Sequence, residues 1–481
     1  MSELSEKLEY YMNVKGLNLA ELSKRSQIDR STVFQYLKGK RPLHSREQFQ
    51  QITAQMLLTP EEQEDLDQAY EITRIGRSRY LRRKKVGEII ASLFTIDQYP
   101  EQYQGQGMEM TSLKDCMVVR GELEVSRALS RLLTDVCMRG GKRLDVLVQP
   151  SCRMAMGLLF MLHDYVPSEL SIRQIICLDT NQGGDGCYNL DAMRGILQCG
   201  IAFRNYQALY YYGNVSEHFG HMNILPYLFC TDRYAFFVAS DGKSGMIYAN
   251  SDVVHYLGEE FQKMAVKCRP LMESGDLVEQ WQRHGAAISM NYIGGDSYEV
   301  TSGVCSVQFW NETLIARYLN PCIFGYEQLK GMLCDYAKAL YQGKRQGHVT
   351  VIMNCESVRA FIQTGILREY PSEFMAGNVT VEDRRYLLTC MLEAMEEGWY
   401  RICMVSEECF RISERWEIIA NQGRQVFMQY SIGQDFRIFD LKEPDVSEAF
   451  YDYMEYLSQR SDVLDGEASA VQIQEWMEEY L

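Results

Sequence analysis

Residues 17–43 read Leu17-Asn-Leu-Ala-Glu-Leu-Ser-Lys-Arg-Ser-Gln-Ile-Asp-Arg-Ser-Thr-Val-Phe-Gln-Tyr-Leu-Lys-Gly-Lys-Arg-Pro-Leu43. Apolar positions recur here on a helical period, with one break. Asn18 is a good N-cap, and the helix it starts has Leu19, Leu22 and the small Ser23 on its inner side. Ile28 lies in the break and plugs the angle. Asp29 is a second N-cap, and Val33, Tyr36 and Leu37 form the inner side of the next helix. Gly39 stops that helix and Pro42 follows. The spacing therefore predicts two short helices, about Asn18 to Ser26 and Asp29 to Leu37, joined by a tight turn.

The second helix leaves Arg30, Ser31, Thr32, Gln35 and Lys38 off the core. Arg can pair with guanine, Gln with adenine, and hydroxyls with base or backbone. Lys38, Lys40 and Arg41 put positive charge where phosphate would lie. The stretch resembles the phage-repressor-like (Xre) helix-turn-helix family. The likeness rests on Leu17, Leu22, Ser23, Ile28, Ser31, Thr32, Val33, Gly39 and Lys40, and covers about residues 5–70. Gln27 stands where the family usually has Gly, so a non-Gly residue must turn left-handed or the turn must change. The resemblance implies that the helix Arg30–Leu37 enters the major groove, with Arg30, Ser31 and Gln35 toward the bases. It also implies a homodimer on double-stranded DNA, because one such helix covers only a half-site.

Outward from this stretch, His44 or Ser45 starts a helix with Phe49, Ile52 and Met56 inward. Thr59-Pro60-Glu61-Glu62 then supplies an N-cap, Pro at the first turn and a capping Glu. The helix it opens carries Leu66, Tyr70, Ile72 and Ile75. A basic run follows: Arg74, Arg77, Arg79, Arg82, Arg83, Lys84 and Lys85. It can serve as a second phosphate surface or as a solvated face paired with acidic residues. Val86, Ile89, Ile90, Leu93 and Phe94 offer an apolar side for the large region or for a partner subunit. Residues 96–108, rich in Gln, Gly and Tyr without apolar period, read as a linker.

The whole chain of 481 residues has 49 Lys and Arg against 65 Asp and Glu, a net charge of −16. Taken as an average, that charge argues against a phosphate partner. Its distribution says otherwise. Residues 1–94 hold 16 basic and 13 acidic side chains, and the remainder 33 and 52. From Lys15 to Arg46 there are eight basic residues against Glu21 and Asp29. A basic head thus precedes an acidic body. The N-terminus lacks the basic and apolar run of a secretory signal. The most apolar stretch, Met154–Leu162, is too short to span a bilayer that needs about 20 residues. The 15 cysteines include no C-x-x-C, which fits reduced thiols in a cytoplasm.

Beyond the linker, strand and helix patterns alternate, which predicts an α/β or α+β region with some parallel pairing. Expected strands are Leu144–Val148, Ile172–Leu178, Ile201–Tyr206, Ala208–Tyr212, Val349–Met353, Tyr400–Val405, Val426–Tyr430 and Phe436–Phe439. Tyr234–Ala239 and Met246–Tyr248 read as a hairpin. Expected helices are Ser151 to about Tyr165, Leu190–Cys199, Asp252–Ala265, Glu356–Thr364, Thr380–Met395, Val446–Leu457 and Ala468–Tyr480. The last 40 residues are strongly acidic, with eleven acids against Lys442 and Arg460. One echo stands out. Ile247-Tyr248 precedes Asp252, Leu257 and Phe261, and Ile438-Phe439 precedes Asp445, Phe450 and Met454, with the same offsets after the Asp. It suggests two tandem related units, about 109–275 (a sensor) and 286–481, behind a DNA-binding domain at 1–70 and a basic helix with linker at 71–108.

Catalytic motifs are lacking. Gly242-Lys243-Ser244 has Phe237 where a phosphate-binding loop needs Gly. The Gly-rich Asn181–Cys187 lacks dinucleotide spacing. His218-Phe-Gly-His221 has no further ligand at metal spacing, and no H-x-K, G-x-S-x-G or H-E-x-x-H occurs. If the large region binds a ligand, strand ends favour Gln149, Ser151, Asp179, Thr180 and Asn181. The sequence therefore reads as a non-enzymatic, sequence-specific transcriptional regulator. Its effector would be a small molecule or peptide, with no metal and no assigned cofactor. An enzyme fused to a DNA-binding head and a protein-interaction module are the alternatives.

Overall fold

The computed structural model describes residues 2–93, 115–160, 169–180, 186–273, 295–323, 325–368, 372–432 and 435–481. They form two compact units, one built on Met1–Lys85 and one on Val86–Gln182 with Tyr188–Leu481. The architecture is a helical N-terminal region followed by a large mixed α/β region with two sheets. The predicted linker at 96–108, Asn181 and Phe94 lie outside the described residues.

The first unit is all-helical: α1 (Glu3–Val14), α2 (Leu19–Ser26), α3 (Arg30–Leu37), α4 (Arg46–Thr53) and α5 (Pro60–Ile75). The sequence reading has no α1, whose signal is the four-residue spacing of Leu4, Leu8 and Met12, all buried. They meet Leu22, Val33, Phe49, Ile52 and Leu66 in one core. Phe49 stacks on Tyr70 with ring centroids 4.3 Å apart. Thr59 caps α5 as expected, with Glu62 reaching back to its backbone N–H at 2.7 Å. Gly76, at φ +88°, ends α5. Then α6 (Arg77–Ser92) carries the chain on, and its Val86, Ile89 and Ile90 join the core of the second unit.

The first sheet holds β1 (Cys116–Arg120), β2 (Arg143–Leu147), β3 (Ser171–Asp179), β4 (Tyr206–Gly213), β5 (Tyr227–Thr231), β6 (Ala235–Val238), β7 (Ser244–Tyr248) and β8 (Arg269–Glu273). Its order is β1-β7-β6-β5-β2-β3-β4-β8. The second holds β9 (Asp296–Thr301), β10 (His348–Asn354), β11 (Tyr400–Val405), β12 (Trp416–Asn421), β13 (Val426–Ile432), β14 (Asp435–Leu441) and β15 (Val463–Leu464), in the order β14-β13-β12-β9-β10-β11-β15. Apart from β1, the two orders are one wiring used twice. Three strands run parallel side by side, β2-β3-β4 and β9-β10-β11. The next three fold back from the first of them as an antiparallel meander. The last pairs antiparallel with the third.

The helices also correspond. In the first sheet α7 (Glu122–Met138), α8 (Arg153–Phe160) and α9 (Tyr188–Ala202) share a core with Leu144, Val146 and Ile176. There α10 (Ser251–Ala265) covers the other face through Val254 and Phe261 against Ile175 and Leu228. After α11 (Glu312–Tyr318) and α12 (Tyr326–Lys344), the second sheet has α13 (Cys355–Thr364) and α14 (Val381–Glu396) on the face of Val351 and Ile402. Its opposite face, with Ile352 and Ile418, meets α15 (Pro444–Ser458), and α16 (Gly466–Tyr480) follows. The echo read in the sequence falls on β7–α10 and β14–α15, which are corresponding positions.

One expectation is corrected. Ile201 and Ala202 finish α9 instead of starting a strand, and Tyr206 begins β4, which runs unbroken through Ala208–Tyr212. A buried helix end and a buried strand are equally apolar, so periodicity alone does not separate them. On α10 the buried stripe is Val254, Gly258, Phe261 and Ala265, while Met264 is 38% exposed. No described helix is long and apolar enough to cross a membrane.

Candidate nucleic-acid interface

Local chemistry fixes the geometry of α2 and α3. The Asn18 side chain accepts from the N–H groups of Ala20 and Glu21 at 3.0 Å, and Glu21 accepts in return from Asn18. The Ser23 hydroxyl donates to the Ile28 carbonyl at 2.7 Å, which ties the first helix to the turn. Gln27 takes φ 59° and ψ 23°, the left-handed conformation that its place in the turn demands. Asp29 then caps α3, accepting from the backbone of Ser31 at 2.8 Å and of Thr32 at 3.3 Å. The Ser31 hydroxyl, then these amides, hold the Asp29 carboxyl below its usual range. Val33, Tyr36 and Leu37 are buried. The Tyr36 hydroxyl donates to Gln48 Oε1 at 2.7 Å, fixing α3 against α4.

That packing leaves one polar face. Arg30, Ser31, Gln35, Lys38, Lys40 and Arg41 are exposed and Thr32 is half-buried. After α3 the chain turns at Gly39, φ +63°, and the N–H groups of Lys40 and Arg41 both donate to the Gln35 carbonyl, at 2.9 and 3.3 Å. The basic pair is thereby folded back beside Gln35. Phe34 is also exposed, at 40%, with the Lys40 ammonium 5.6 Å from its ring centre. The sequence reading does not select it. Lys38 differs from the rest, because its ammonium pairs with Glu9 of α1. In the basic run, Arg74 pairs with Glu71 at 2.8 Å and Arg77 with Glu3 at 3.4 Å, so at least these two charges are matched within the first unit.

The ligand candidates of the large unit are dispersed or structural. Gln149 is fully buried, and its amide, oriented to satisfy both ends, accepts from Cys177 N at 2.8 Å and donates to Cys177 O at 3.0 Å. It therefore stitches the end of β2 to β3. The Asp179 N–H donates to the Asn189 side chain at 2.9 Å, and Thr180 N donates to Gly213 O at 3.3 Å. Ser151 is exposed. Gly242-Lys243-Ser244 belongs to the β6–β7 hairpin, with Gly242 at φ +68°. His218 lies against Tyr211, ring centroids 6.0 Å apart.

A titratable cluster that the sequence reading misses sits beside β9. Glu299, Cys305 and Glu417 approach one another closely enough to share an ion. Lys344, 1% exposed, already stands among them, with its Nζ 2.8 Å from Glu299 Oε1 and 3.4 Å from Gln308 Oε1. Its ammonium fills the role of the cation. Burial first, and then the neighbouring Glu299 charge, push the Glu417 carboxyl up to about 7.

No family model matches this chain, and no curated protein matches it. Solved structures do. A polyphosphate kinase from Porphyromonas gingivalis aligns at 9% identity over 76% of this chain and 53% of the kinase, with a TM-score of 0.22. Only about half of the kinase's length is spanned. TrmBL2, an archaeal chromatin protein with a novel mode of DNA binding, aligns at 14% identity over 56% of this chain and 94% of its own, with a TM-score of 0.21. At such TM-scores neither likeness carries an argument about this chain.

Proposed function

We propose that the chain is a sequence-specific DNA-binding transcriptional regulator of the helix-turn-helix type. It acts as a homodimer, and its large α/β unit serves as the sensor and oligomerisation region. One observation carries the reading: α3 buries Val33, Tyr36 and Leu37 and leaves Arg30, Ser31, Gln35, Lys40 and Arg41 together on an exposed face. A helix that exposed those residues only for solubility would not need Lys40 and Arg41 folded back beside Gln35. In this reading Arg30, Ser31 and Gln35 meet base edges, and Thr32, Lys40 and Arg41 meet phosphates. Lys38 joins them by leaving Glu9. The reading contains no catalytic step.

The test is an electrophoretic shift on the DNA upstream of the protein's own coding sequence. Arg30→Ala with Gln35→Ala should weaken the specific complex by about 2–6 kcal/mol, since each bidentate base pair contributes about 1–3 kcal/mol of discrimination. Binding unchanged in the double variant would remove α3 as the reading helix.

A further inference from the structure

A cavity of about 350 Å³ lies within the large unit, lined by two helices and the segment 308–312. Its lining comes from α12, α14, residues 308–312, Glu397 and Trp399. On α12 the lining positions Cys334, Lys338 and Tyr341 follow a helical spacing, and on α14 so do Tyr386, Cys390 and Glu393. The cavity is therefore framed by one stripe from each helix.

Its wall is aromatic: Phe309, Trp310, Tyr341, Tyr386 and Trp399. The rings brace each other. Tyr341 stands edge-on to Trp399 at 5.7 Å and to Phe309 at 6.4 Å between centroids. Gln308, 3% exposed, also lines it, with its amide already engaged by the Cys305 carbonyl at 3.0 Å and by Lys344 at 3.4 Å. The lining charges then sort themselves. Glu397 is held by Arg345 at 3.2 Å and accepts from Trp399 Nε1 at 2.8 Å. Glu312 lies 3.8 Å from Lys330. Lys338 and Glu393 remain, and neither has an ion-pair partner among the described residues. One is cationic, one is anionic, and they come from opposing helices.

From this complementarity we propose that the cavity binds a small zwitterion, an α-amino acid with an aromatic side chain. Its ammonium meets Glu393 and the π faces, its carboxylate meets Lys338, and its ring packs on the wall of Phe309, Tyr341 and Trp399. The volume lies at the lower end of small-molecule sites, about 300–1,000 Å³, which suits one amino acid and not a dinucleotide. Its use as the effector of a regulator rests on the DNA-binding reading above; the binding itself does not.

Titration calorimetry on the full chain without DNA tests the site, using L-phenylalanine, L-tryptophan, phenethylamine and 3-phenylpropionate. At least one of the two amino acids should bind saturably. The two half-ligands should bind about tenfold more weakly or worse, each lacking one charge-assisted contact. Glu393→Gln and Lys338→Met should each weaken the amino acid by about tenfold. Both side chains are exposed, so the thermal midpoint should not move. Three results overturn the proposal: no saturable heat from either amino acid, phenethylamine binding as tightly as phenylalanine, or unchanged affinity in both variants. A parallel DNA shift separates the readings. Lost DNA binding with intact heats removes the regulator, and absent heats with intact DNA binding remove the cavity site alone.

Discussion

Gln27 is legible in the sequence because its constraint is local. The turn between two capped helices is short, and a left-handed residue is needed within it. The same constraint gives a prediction. A non-Gly residue in that conformation costs on the order of 1 kcal/mol, so Gln27→Gly should stabilise the turn by about 0.5–1 kcal/mol. Amide exchange in α2 and α3 of the full chain should slow. The cluster around Lys344 is not legible, since Glu299 and Glu417 are far apart in sequence and meet through the pairing of β9 with β12, while Lys344 reaches them from the end of α12. Its chemistry also has a direction. The Glu417 carboxyl titrates near 7 when folded, above its ordinary 4.5. A carboxyl raised in the folded state adds stability that is full below the unfolded value and lost as pH rises through the folded one. As pH climbs from about 4.5 to 7 this group therefore weakens the fold, and Glu417→Gln should raise the thermal midpoint at about pH 8 more than at about pH 5. An equal shift at both values would contradict the assignment.

Among elements, α3 with its trailing loop is where charge and periodicity coincide. Lys40 and Arg41 sit at the end where positive charge meets phosphate in the proposed complex. Replacing both with Met should lower the slope of log affinity against log salt by about 1.8, near 0.9 per lost phosphate contact. Sequence preference should survive. An unchanged slope would place the pair away from the backbone. Other elements escape a reading of the sequence for a common reason. β5 is buried at every position, as is most of β12, so neither presents the alternation that marks a half-buried strand. Strands flanked by both faces' helices lose the period-two signal. β7 and β14 stand out because each is followed by a well-capped amphipathic helix, and that junction is what the echo in the sequence records.

At the scale of the molecule, the net charge of −16 averages two unlike parts. The basic stretch lies in the helical unit, and the excess of acid over base lies in the remainder, with 52 acidic against 33 basic side chains beyond residue 94. Composition alone misleads there, while position along the chain does not. The pairing of strands is beyond the sequence, because registers between segments a hundred residues apart leave no periodic trace.

The doubled wiring has a consequence for how the chain is made. In each sheet the strand that seals the third parallel strand comes last, after a helix: β8 beside β4, and β15 beside β11. A nascent chain therefore holds β4, and later β11, with a bare edge until the closing strand emerges from the ribosome. β15 is only two residues, Val463 and Leu464, yet among the described residues it alone pairs with that side of β11. A chain stopped after Gln459 should leave Met404 and Val405 without those partners and associate edge to edge. Sedimentation velocity would register the large species, and a monodisperse truncated protein would contradict it. Closing each sheet last makes synthesis time, as much as stability, a quantity this fold has to respect.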